Sequence, residues 1–156
     1  MIARLIILLS LLHVAGTADA QSESANALIN PTGLYKMVNK TKIKNGDTYG
    51  YFGDIKVKLI TPSSIVMSFY VCKGAPSYNS GSFTDTLVFE NNQAVFRTDD
   101  DLTCSIIFRF SEGGIHVQEK SDDYNSGCGF GSAVIADGYY RKTSSKILEI
   151  KSASSD

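Results

Sequence analysis

The stretch "SIVMSFYVC", Ser64 to Cys72, places Ile65, Met67, Phe69 and Val71 at every second position, with Ser68, Tyr70 and Cys72 in the alternate phase. A period of two sends one set of side chains into a core and the other toward water, the pattern of a half-buried strand. The same period recurs on both sides. Ile55, Val57 and Leu59 alternate with Lys56 and Lys58; Cys104, Ile106, Phe108 and Phe110 alternate with Ser105 and Arg109; Ile115 and Val117 flank His116. No segment carries a long helical period, and no internal repeat is visible.

Turn chemistry separates these runs. Asn45-Gly46-Asp47, Thr61-Pro62-Ser63, Glu90-Asn91-Asn92-Gln93, Thr98 to Asp101 and Glu112-Gly113-Gly114 all qualify, because Gly and Asn tolerate positive φ and Pro pre-sets a turn. The spacing predicts about eight strands, near 33–39, 48–60, 64–73, 84–90, 93–98, 103–110, 114–119 and 132–142. Gly33-Leu34-Tyr35-Lys36 and Gly138-Tyr139-Tyr140-Arg141-Lys142 share a glycine, aromatic, basic order. Pairing first strand with last closes a meander and removes its edges. The expected fold is all-β: a single-domain antiparallel meander closed into a lipocalin-like up-and-down barrel, with an open sandwich as the alternative. Phe69, Phe89, Phe96, Phe108 and Phe110 argue for a filled interior.

The first residues set the compartment. A positive start over Met1 to Arg4, an apolar run from Leu5 to Val14 and the small residues of Ala18-Asp19-Ala20 read as a signal peptide over residues 1–20, cleaved after Ala20. The run falls short of the roughly 20 residues that span a bilayer, so the mature chain is expected to be secreted or periplasmic, without a membrane span. Residues 21–32 read as a flexible leader, 33–151 as the barrel domain and 152–156 as a flexible tail. With 15 Lys and Arg against 16 Asp and Glu the net charge is −1, which offers no electrostatic footprint for nucleic acid.

Three cysteines in an exported chain allow three single pairings. Cys104 lies in phase with Ile106 and Phe108 on the apolar face, whereas Cys72 lies in phase with Ser68 and Tyr70 on the other. A bond between those two would cross the sheet, so the expected disulfide joins Cys104 to Cys128. It pins the stretch "CGFGSAVIADGYYRK", Cys128 to Lys142, to the sheet. Gly127, Gly129 and Gly131 then permit a close approach of backbone around the bridge, and Phe130 plugs one end of the core. An anion-binding nest of backbone amides is the sharper alternative, but the spacing is not that of a P-loop. Cys72 is left as a free thiol or as a bridge to a second copy, giving a dimer.

Catalytic constellations are scarce. Past the signal peptide His116 is the single histidine, and its neighbours Gln118 and Glu119 place it on a solvated strand face. Asp99, Asp100 and Asp101 lack the alternating spacing of a calcium loop and read as a solvated turn, as do Asp122 and Asp123. Asn39-Lys40-Thr41 is a glycosylation acceptor only in a glycosylating host. The expectation is a non-enzyme with no cofactor and no metal site.

"NNQAVFR", "LTCSIIFRF", "IHVQEK" and "CGFGSAVIADGYYRK" together resemble a family of small exported bacterial proteins that end in a C-G-F-G then A-D-G-x-Y-K pattern. The resemblance spans roughly Gly33 to Lys142. It implies an exported β-domain, and its matching cysteines are Cys104 and Cys128; Cys72 departs from the pattern. Ser126-Gly127-Cys128-Gly129-Phe130 is more distantly similar to the inhibitory loop of periplasmic lysozyme inhibitors, with phenylalanine where tyrosine is expected. That likeness implies steric occlusion of a glycosidase cleft, with Ser126 and Tyr124 meeting its catalytic carboxylates.

The expected function is therefore non-catalytic binding of a protein or glycan partner through loops at a barrel end, 75–83 with Tyr78 and 121–127 with Tyr124. The candidate partner-binding residues are Tyr78, Tyr124, Ser126, Gly127 and Phe130. A lysozyme-inhibitor-like role is one alternative. Carriage of a small apolar ligand inside the barrel is the other, and it requires a hollow interior.

Overall fold

A computed structural model describes residues 28–98, 103–122, 127–146 and 150. The strands are β1 (Gly33–Met37), β2 (Lys42–Lys44), β3 (Asp47–Thr61), β4 (Ser64–Gly74), β5 (Ser80–Val88), β6 (Gln93–Arg97), β7 (Ser105–Ser111), β8 (Gly114–Lys120) and β9 (Gly138–Ser144), with one 3₁₀ turn at Gly127–Gly129. They form one antiparallel sheet in the order β5-β4-β3-β1-β9-β8-β7-β6, and β2 pairs with β3 off that path. The sheet curls into a nearly closed barrel of eight strands.

The alternation in β4 is realised in full. Ile65, Met67, Phe69 and Val71 are buried, and they oppose Leu59, Val57, Ile55 and Gly53 of β3. First and last strands do pair, with Lys36 opposite Arg141 and Met37 opposite Tyr140. β1 also pairs with β3, Tyr35 opposite Ile55, so the two ends of the domain meet in the middle of the sheet. A register shift in β3 between Tyr49 and Phe52 bends its first residues out of the barrel wall. There they form a hairpin arm with β2 around Asn45-Gly46, Ile43 opposite Thr48.

Closure is incomplete at one junction. β5 and β6 share only the reciprocal backbone bonds of Glu90 and Gln93, 3.0 and 2.8 Å, at the turn between them. Beyond that turn the seam is held by side chains, with the Phe83 and Phe96 rings stacked at 3.8 Å. The cause lies in β5. Asp85 shares the inward parity of Phe83 and Leu87 yet is exposed, because an unpaired carboxylate is too costly to bury. The expected eight-stranded barrel is thus realised in nearly closed form, with one open seam between β5 and β6.

Inward side chains fill the interior. Phe69 packs against Phe83, Phe108 and Tyr140 at centroid distances of 5.5, 5.7 and 5.9 Å. Toward the opposite end Phe110 meets Phe89 at 5.2 Å and Tyr35 at 6.5 Å. Tyr35, Phe69, Phe89, Phe108 and Tyr140 are all essentially without exposure.

Some predicted boundaries shift. β5 starts at Ser80 and ends at Val88 rather than spanning 84–90, and β9 starts at Gly138 rather than 132. The last residues assigned to the leader are fastened to the barrel. Ile29 N–H donates to Asn92 Oδ1 at 2.9 Å, Leu59 N–H donates to Thr32 Oγ1, and Tyr35 O–H donates to the Pro31 carbonyl at 2.6 Å. The signal peptide, the rest of the leader and the tail lie outside the described residues. Among those described, no helix is long and apolar enough to cross a membrane.

Candidate functional site

Among the described residues, one end of the barrel carries the short turns and residues 28–32; the other is covered by longer connections. At the covered end β4 runs into a tight loop, residues 75–79, and the segment from Cys128 to Asp137 crosses the mouth as a strap.

The strap is anchored covalently by the Cys104–Cys128 disulfide, Cα to Cα 5.2 Å. Cys104 sits fully buried at the foot of β7, as the phase of that strand predicts. Cys128 adopts φ of 51° and Gly129 φ of 73°, so the chain turns sharply and drops Phe130 inward. That ring stacks on Phe69 at 5.9 Å and 16°. It occupies the space where a side chain at position 81 would stand, which explains why β5 begins with Ser80-Gly81-Ser82 rather than with the bulky residues that announce a strand. Gly129 departs from the expectation of close approach: a Cβ there would meet nothing within 4 Å. Its positive φ is what a side chain would disfavour.

Beyond Phe130 the strap is tied down by hydrogen bonds. Gly131 N–H donates to the Ser80 carbonyl at 3.0 Å. The Asn79 side-chain amide and Lys73 Nζ both donate to the Ser132 carbonyl, at 2.8 and 3.3 Å. Tyr51 O–H donates to the Ala133 carbonyl at 2.8 Å. Val134 and Ala136 are buried while Ala133 and Ile135 are exposed, so the alternation of a strand is present in the segment expected to be one. It is met by packing into the barrel mouth instead of by a ladder. Ala136 N–H donates to Glu119 Oε2 at 2.7 Å and Glu119 N–H donates to Asp137 Oδ1. Burial first, and the Asp137 carboxylate in addition, hold the Glu119 carboxyl above its ordinary range despite the Ala136 bond, which lowers it.

The 75–79 loop is equally constrained. Tyr78 N–H donates to the Gly74 carbonyl at 2.9 Å. The Tyr78 hydroxyl donates to Asp47 Oδ1 at 2.9 Å and accepts from Thr48 N–H at 3.0 Å, which ties the loop to the β2–β3 arm while leaving the ring exposed. Underneath lies Cys72, on the outer face as its phase predicts but 1% exposed. Its Sγ accepts from Gly74 N–H at 3.4 Å and lies 3.6 Å from the Tyr78 carbonyl. A bridge from Cys72 to a second chain would require this loop to lift.

Of the predicted partner-binding residues, Tyr78 lies on the exposed surface of this end, Gly127 opens the 3₁₀ turn, and Phe130 is half-buried against the core. Tyr124 and Ser126 lie outside the described residues, as do Asp99, Asp100, Asp101 and Asp123. His116 stands exposed on the outer face against Tyr139, ring centroids 4.7 Å apart. Among the described residues no cluster of three His, Cys, Asp or Glu side chains is arranged to hold a metal.

Sequence reasoning missed the apolar character of this end. Val38, Ile43, Tyr49, Tyr78 and Ile135 are all exposed. An open groove of about 380 Å³ runs between Met37, Val38, Tyr51 and Ile135. The signal was present in "YKMVNKTKIKNG", Tyr35 to Gly46, where Met37-Val38 follows the inward Tyr35 after a single lysine and Ile43 sits between two lysines. A scan against protein-family models, a search of curated proteins and a search of solved structures each return no match.

Proposed function

We propose that the chain is an exported, non-catalytic binding protein that recognises a protein or glycan through the covered end of the barrel. The observation that carries this reading is the gathering of Val38, Ile43, Tyr49, Tyr78 and Ile135 at that end, since exposed apolar residues clustered beside polar ones are characteristic of interaction surfaces. Three features support it. The loops that present the surface are held by a disulfide and by hydrogen bonds, so little ordering entropy is lost on binding. The packed aromatic interior favours recognition at the surface over carriage of a ligand within. Phe130 has its ring in the core, which leaves any lysozyme-inhibitor-like action to Ser126 and Tyr124.

The test uses immobilised mature chain against c-type, g-type and i-type lysozymes and soluble peptidoglycan fragments. Saturable retention of at least one probe is expected. Val38→Asp or Ile135→Asp should weaken it by about tenfold or more, equivalent to about 1.4 kcal/mol, whereas Ile60→Asp, exposed toward the opposite end, should leave it unchanged. Retention indifferent to Val38 and Ile135 would remove the covered end from the account.

A further inference from the structure

The seam between β5 and β6 has a geometry that the covered end does not explain. Hydrogen-bonded pairs in an antiparallel ladder recur at every second residue. Lys73 N–H donates to the Asn79 carbonyl and Phe89 N–H to the Ser63 carbonyl, so the odd residues of β5 face β4 and the even ones, Thr84, Thr86 and Val88, turn their backbone groups toward the seam. Phe110 N–H donates to the Asn92 carbonyl, which by the same rule turns Val95 and Arg97 of β6 toward the seam from the other side.

Both ends of this double edge are spoken for. Near the strap the Ser80 carbonyl is taken by Gly131, and at the turn Glu90 and Gln93 bond each other. Between them lies a groove of about 630 Å³, lined by Asp85 to Val88 on one side, by Glu90 and Asn91 at the turn, and by Gln93 to Val95 with Arg97 on the other. Leu87 and Ala94, both buried in the core, line it, and the rings of Phe83 and Phe96 stack across the same seam. Asp85 Oδ1 accepts from Thr86 N–H at 2.7 Å, which blunts one donor and leaves those of Thr84, Val88 and Val95 without a partner among the described residues.

We propose that this window is a strand-addition slot for an extended basic peptide segment of a partner protein. Backbone hydrogen bonds to a sheet edge supply affinity in this mode of recognition, and side-chain pockets supply selectivity. The charge argues for the occupant: Asp85 and Glu90 on the β5 side and the turn outweigh the lone cation Arg97 on β6, so Lys or Arg on alternate positions of the incoming strand would meet carboxylates along the β5 side. A second copy of the chain is disfavoured by the same residues, because edge-to-edge pairing of two β5 strands brings Asp85 toward Asp85 in a self-complementary contact. The slot is distinct from the covered end and does not depend on it.

The test titrates the mature chain with an alternating Lys-Val heptapeptide, with its Glu-Val counterpart, and with the Lys-Val peptide N-methylated at alternate amides. Affinity is read by fluorescence anisotropy, and amide hydrogen exchange is read by NMR. The Lys-Val peptide is expected to bind and to slow exchange at Thr84, Val88 and Val95. N-methylation and the Glu-Val exchange should each weaken binding by about tenfold or more, and Asp85→Lys should invert the charge preference. Val88→Cys combined with Val95→Cys, oxidised to close the seam, should abolish binding without loss of fold. Two results overturn the proposal: equal binding of the N-methylated peptide, or slow exchange at Thr84, Val88 and Val95 before any peptide is added.

Discussion

Two buried tyrosines make opposite contributions. Tyr35 and Tyr140 are both without exposure, and burial pushes both phenols well above their usual range, for Tyr140 with help from the Asp54 and Asp137 carboxylates. Each is therefore a neutral donor at any ordinary pH. The Tyr35 hydroxyl donates to the Pro31 carbonyl, whereas the Tyr140 hydroxyl has no partner among the described residues. A buried polar group left unsatisfied costs about 1–3 kcal/mol, and a satisfied bond contributes about 1 kcal/mol. Tyr35→Phe should accordingly lower the urea midpoint, and Tyr140→Phe should leave it unchanged or raise it. A loss in Tyr140→Phe equal to that in Tyr35→Phe would mean that the Tyr140 hydroxyl is bonded.

The strap is the element on which the covered end depends. Its disulfide closes a loop with a sequence separation of 24 residues, and such closure constrains the unfolded chain by about 3–4 kcal/mol on the entropy model. Cys128→Ser should cost about 2–5 kcal/mol in denaturant unfolding, while Cys72→Ser, whose hydroxyl can still accept from Gly74, should fold. An unchanged midpoint in Cys128→Ser would show that the hydrogen bonds at Gly131, Ser132 and Ala133 suffice to hold the strap. Elements differed in how far they could be read in advance. β4, β7 and β8 were legible because one face is buried and the period of two survives along their length. β2 was not, since Lys42, Ile43 and Lys44 are all exposed and leave no periodic signal. The first residues of β5 were hidden because Phe130, some fifty positions away in the chain, supplies the bulk that Ser80-Gly81-Ser82 lacks.

At the scale of the molecule, closure through β1 and β9 was legible from matching sequence at the two ends, and the disulfide from strand phase. The open seam was not, because one aspartate at an inward position decides it and its exposure appears only once the neighbouring strands are placed. The exposed apolar residues of the covered end were hidden for a related reason: they come from three separate segments, around Val38, Tyr78 and Ile135, which only the fold brings to one end. Together these features describe a barrel whose interior is filled by its own side chains, the premise on which recognition at the surface is proposed. The most direct test titrates a long-chain fatty acid into the isotopically labelled protein and follows the isoleucine and valine methyls by NMR. Ile55, Ile65, Ile106 and Ile115, buried in the core, should not move at any concentration. Saturable shifts at those four residues would place the ligand inside the barrel and contradict the account.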